Sequence, residues 1–104
     1  MPDTDPISPQ YDPPHPGEFI AATYLEPFNI SARTLAGALG VAVTTVTRIL
    51  SGQARVTPEM AVRLEGVLRG SAQMWLRMQD NYDLWQARQT VDVTPLRKLD
   101  LAAA

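Results

Sequence analysis

The chain has no cysteine and a single histidine, His15. The first absence excludes a disulfide framework, thiolate metal sites and a cysteine nucleophile. The second excludes a multi-histidine metal site and leaves a serine triad His15 as its sole base. Hydrophobic residues make up 45% and charged residues 19%, as is normal for a soluble globular protein. No apolar run approaches the roughly 18 residues that span a bilayer. The opening MPDTDPISP is acidic and proline-broken, the opposite of a secretory leader. A chain of 104 residues has room for one ordinary domain. These limits predict a soluble, cytoplasmic domain that binds rather than catalyses, with no cofactor, no metal and no membrane partner. The carboxylates are scattered, and neither a phosphate-binding glycine loop nor a nucleophile elbow is present.

Proline crowds the start: Pro2, Pro6, Pro9, Pro13, Pro14 and Pro16 are six of the nine. Proline removes backbone donors and restrains the residue before it. Residues 1–14 therefore read as a flexible arm and 15–91 as the domain. Residues 92–104, broken at Pro95, read as a flexible tail. Charge divides along the same lines. Residues 1–30 hold Asp3, Asp5, Asp12, Glu18 and Glu26 and no Lys or Arg. Residues 31–69 hold Arg33, Arg48, Arg55, Arg63 and Arg69 against Glu59 and Glu65. The net charge of −2 thus conceals a basic middle, and phosphate attraction depends on the contacting face rather than the whole chain.

Five helices are legible from their ends. The first starts near Pro16, with Glu18 in its first turn, and Pro27 is expected to stop it at Leu25 or Glu26. Its inward stripe is Ile20, Tyr24 and Phe28, or Ala21, Leu25 and Phe28. The second is capped by Ser31, stapled by Ile30 and Leu35, and closed by Gly40 after Leu39. The third, AVTTVTRIL, is dense in β-branched residues and has strand propensity. Its apolar positions Val43, Val46, Ile49 and Leu50 fall on one helical face, however, so helix is favoured. The fourth opens Thr57-Pro58-Glu59, buries Met60, Ala61, Leu64, Val67 and Leu68, and stops before Gly70. The fifth runs from Ser71 to about Gln89. The fold class is all-α.

Leu35, Ala36, Leu39, Gly40, Val41, Val46 and Ile49 have the spacing of a helix-turn-helix, with Ala36 small at the crossing and Gly40 at the turn. If Val46 and Ile49 face inward, Val43, Thr44, Thr47, Arg48 and Ser51 lie outward or at the edge. Short side chains let a helix sit deep in a major groove, where hydroxyls reach base edges and methyls touch thymine. Arg48 suits guanine or phosphate. Ser51, Gln53, Arg55 and Arg33 are expected to hold phosphates. The β-branched content costs the third helix about 3 kcal/mol against alanine, which packing must offset. The alternative is a plain core helix with a solvated threonine face.

The segments HPGEFI, LAGALGV followed by VTTVTRILSG, and SAQMWLRMQDNYDLWQA resemble the HigA-type antitoxins of bacterial toxin–antitoxin modules, within the Xre/Cro-like repressor superfamily. The resemblance covers residues 15–89. It implies a five-helix Cro/repressor-like domain that acts as a homodimer, binds a palindromic double-stranded operator, represses its own operon and neutralises a RelE-like ribonuclease toxin. Ala42 departs from the pattern, standing where many members carry Ser or Asn as a helix cap.

A dimer needs an apolar surface. Trp75, Met78, Tyr82 and Trp85 step along the fifth helix as a seam for a second copy, or pack within their own chain. A ribonuclease toxin is expected to be basic, which matches Asp3, Asp5, Asp12, Glu18 and Glu26; the bland alternative is a solubilising arm. His15 reads as a capping or packing residue. The rival functions are a repressor of the same fold without a toxin, and a helical protein-interaction module that does not touch DNA.

Overall fold

The computed structural model describes residues 12–103. Five helices account for its body. The first, α1, begins as Pro16–Ile20, continues without a break through a π-helical stretch, Ala21–Leu25, and ends in the turn Glu26–Phe28. Then follow α2 (Ala32–Leu39), α3 (Val43–Leu50), α4 (Pro58–Val67) and α5 (Ala72–Thr90). No strand occurs among the described residues.

Pro27 does not stop α1 where the sequence suggested. The ring of a proline strikes the carbonyl four residues back in an α-helix, and the wider π turn relieves that approach. Glu26 N–H reaches Ala21 O in the i→i+5 pattern. The same widening changes the inward stripe. Ile20 and Leu25, five apart, are buried together, whereas Phe28 is 68% exposed, against either expected stripe. Asn29 then ends the helix in the left-handed region at φ 56°, a conformation its short polar side chain tolerates.

The expected caps are in place. Ser31, Thr57 and Ser71 accept from the N–H groups of Thr34, Met60 and Met74. Gly40 closes α2 at φ 74°. Ala42 offers α3 no side-chain cap. On α4, Val67 is exposed rather than buried, because the helix ends there and Leu68 turns extended.

One core holds the helices together. Ile20, Leu25, Leu35, Ala36, Leu39, Val46, Ile49, Val56, Met60, Ala61, Leu64 and Trp75 are its buried apolar members. Trp75 sits on α5 with no exposure at all and meets Phe19 and, at a tilt, Tyr24 of α1. Buried inside its own chain, it cannot belong to the surface seam assigned to it from sequence. Residues from Gln86 to Ala102 are all exposed. Of the N-terminal arm, Asp12, Pro13 and Pro14 are described, and Pro13 is buried against the body.

Candidate nucleic-acid interface

The site is built on α3. Val46 and Ile49 are buried among Leu35, Ala36 and Leu39, which fixes the roll of the helix. At 100° per residue, Thr44, Thr47, Arg48 and Ser51 then lie opposite the core. All four are exposed, as is Thr45 on the flank, while Val43 is half-buried at the edge. Thr45 was not among the residues singled out from sequence. Its three-residue spacing from Arg48 was the signal available.

The outward hydroxyls differ in what they have left to offer. Thr47 Oγ1 donates to Thr44 O at 3.1 Å, and Ser51 Oγ donates to Arg48 O at 3.2 Å. Either hydroxyl can rotate its proton outward to an acceptor or turn its lone pairs to a donor. Arg48 makes no ion pair among the described residues. Its guanidinium is available to a partner.

Two contacts hold this helix from outside the α2–α3 pair. Gly17 of α1 abuts the backbone of Ile49 and Leu50. His15 caps α1, its Nδ1 accepting from Gly17 N–H at 2.9 Å. The imidazole is buried and meets Tyr82 edge-on, with ring centroids 4.9 Å apart. Burial pushes its pKa below the ordinary histidine value, opposed by the Asp83 carboxylate, a hydrogen bond with the Ala54 backbone and Glu18. On the other side, Arg63 of α4 donates to Leu39 O at 2.8 Å, closing the end of α2, and is steadied by Glu59.

The loop after α3 is tied down as firmly. Gln53 N–H and Ala54 N–H both reach Arg48 O. Val56 is fully buried, and its N–H donates to Gln79 Oε1 at 2.7 Å. Gln79, 1% exposed on α5, passes its Nε2–H to Asp83 Oδ1. Periodicity alone gives no warning of this buried glutamine, since its partner lies in a loop. Asp83 in turn takes Arg55, whose Nε and Nη2 both address Oδ2. Arg55, expected from sequence to hold a phosphate, is thus paired with Asp83 in the chain by itself. Gln53 and Arg33 are exposed.

The remaining sequence assignments separate cleanly. Met78, Tyr82 and Trp85 are half-buried, and exposed Leu84 stands beside them. Asp12, Glu18 and Glu26 are exposed, while Asp3 and Asp5 lie outside the described residues. No cluster of three metal-ligating side chains occurs among the described residues, nor does any helix long and apolar enough to cross a membrane.

Two short helices joined by a glycine turn, the second rolled so that small polar side chains face away from the core, define a helix-turn-helix domain. A helix-turn-helix family model matches residues 22–75. The chain is 44% identical over 86 residues to the uncharacterised HTH-type transcriptional regulator YddM of Escherichia coli K12, across 83% of this chain and 90% of that one. The solved antitoxin GraA is 35% identical and superposes with a TM-score of 0.80, over 85% of this chain and 98% of its own. The antitoxin HigA of Pseudomonas aeruginosa, solved with the higBA promoter, is 35% identical with a TM-score of 0.70, over 82% and 99%. The chain belongs to the Xre-like helix-turn-helix family that includes the HigA-type antitoxins.

Proposed function

We propose that this chain is a DNA-binding antitoxin that represses its own operon as a homodimer and neutralises a RelE-like ribonuclease toxin. The observation that carries the proposal is the outward side of α3, where short hydroxyl side chains surround Arg48, which has no ion-pair partner among the described residues. Val43, Thr44, Thr47 and Arg48 meet base edges in the major groove, and Ser51, Gln53 and Arg33 meet the backbone. The likeness to an antitoxin solved on a promoter supports the same reading.

One helix-turn-helix reads too few base pairs for useful specificity, and a two-fold pair reads two half-sites about one turn apart. With Trp75 withdrawn into the core, the dimer surface falls on Met78, Tyr82, Leu84 and Trp85 of α5. The acids of the first thirty residues steer a basic toxin. Residues 15–91 act as the DNA-binding and dimerising unit, and 1–14 as an arm toward the toxin.

The test is a mobility shift with the DNA upstream of the chain's own gene, at stated salt, with the mass of the complex measured. Two chains per site and an affinity that falls with salt are expected. A chain that leaves this DNA unshifted overturns the proposal. Deleting residues 1–14 and measuring affinity for the neighbouring gene's product tests the arm; unchanged affinity removes it from the toxin interface.

A further inference from the structure

We propose that Arg55 is a latched phosphate ligand, held by Asp83 in the DNA-free protein and surrendered to the DNA backbone on binding. The proposal rests on the DNA-binding reading above and adds a regulation of that site.

Arg55 lies in the loop that follows α3. Its Nε donates to Asp83 Oδ2 at 3.1 Å, its Nη2 goes to the same oxygen, and Asp80 Oδ1 stands 3.9 Å from Nη2. The pair is open to water, with side-chain exposures of 53% for Arg55 and 40% for Asp83. Ion pairs exposed to this degree are held weakly. A phosphate offers the guanidinium two oxygens where Asp83 gives one, and adds the release of condensed counterions. Exchange of one anion for the other is therefore close to balanced in water and tips toward the phosphate at the DNA surface.

The surroundings confine the exchange to one side chain. Ala54 N–H is bonded to Arg48 O, and Val56 N–H to Gln79 Oε1, so the backbone on both sides of Arg55 stays fixed. Gln79 Nε2 holds Asp83 through Oδ1 at 2.9 Å, the oxygen Arg55 does not use. Asp83 thus keeps its place when the guanidinium leaves. Arg48 is ready as it stands, while Arg55 is held back by carboxylates of α5. That helix, which carries the proposed dimer surface, thereby sets how strongly the loop grips DNA.

The experiment compares the full chain with Asp83→Asn, Arg55→Ala and the double variant. Asparagine keeps the Oδ1 acceptor for Gln79 and removes the charge that holds Arg55. Each protein is titrated over a range of salt with two duplexes, the DNA upstream of its own gene and a scrambled sequence of equal length. Asp83→Asn is expected to tighten binding several-fold when Arg55 is present and by a clearly smaller factor when it is alanine. In the Asp83→Asn background, removing Arg55 is expected to lower the salt slope by about one. An equal gain with and without Arg55 reduces Asp83 to a repelling charge and overturns the latch. Weaker binding by Asp83→Asn makes Asp83 a support for Arg55 and also overturns it. If the unaltered chain binds neither duplex, the DNA reading itself falls.

Discussion

Gly17 lies so close to Ile49 that a Cβ on it would stand 1.8 Å from the Ile49 carbonyl oxygen. A side chain of any size is excluded there. The first helix is thereby seated on the C-terminal end of α3, and His15, which caps that first helix through Gly17 N–H, is part of the same joint.

Gly17→Ala is expected to destabilise the fold by more than the about 1–3 kcal/mol of ordinary overpacking. The atoms in the way are backbone and cannot swing aside. Thermal unfolding followed by circular dichroism checks this. An unchanged midpoint would contradict the packing described.

Gln79→Leu keeps much of the volume but leaves the buried Val56 N–H without an acceptor. A loss of about 1–3 kcal/mol is expected in urea unfolding. An unchanged unfolding free energy would contradict a structural role for this hydrogen bond.

The His15 pKa is lowered in the folded chain, mainly by burial. The unfolded state therefore binds more protons as pH falls past the ordinary imidazole value of about 6.5. Stability contributed by neutral His15 is present above that pH and is lost as pH falls through it toward the lower folded value. Protonation also takes the Nδ1 lone pair from Gly17 N–H. His15→Asn retains a capping acceptor without titrating, so its unfolding free energy should fall less between pH 7 and pH 5 than that of the unaltered chain. Parallel profiles would contradict this.

Trp75 and Trp85 should separate stability from assembly. Trp75→Ala is expected to cost about 3–5 kcal/mol of folding free energy, as for other buried aromatics. Trp85→Ala should leave most of the folding energy and lower the dimer fraction in sedimentation. A dimer untouched by Trp85→Ala would move the interface off this part of α5.

Much of the architecture was visible in the sequence because it is written in local chemistry. Ser31, Gly40, Thr57 and Ser71 mark helix ends with their own side chains or backbone freedom, and each does so in the structure. The helical spacing of Val46 and Ile49 outweighed the strand propensity of their neighbours, and with it gave the exposed side of α3. What was hidden depends on contacts across the fold. Pro27 signals a stop unless a π turn moves its ring aside. Gly17 is small because α3 is near, a fact held by neither segment alone. Trp75 and Trp85 share a helical stripe, and only the position of α1 decides that the former is sealed. The pairing of Arg55 with Asp83 was hidden because the two stand 28 residues apart.

Arg48 is the residue on which DNA reading by α3 most directly depends. Its affinity contribution is best measured on the upstream DNA and on single base-pair variants of it, comparing the unaltered chain with Arg48→Ala. The account predicts a loss of about 1–3 kcal/mol on the native site, unchanged helical content, and a base preference that disappears at one position in each half-site. Full binding with every preference retained would show that this side of α3 does not read DNA.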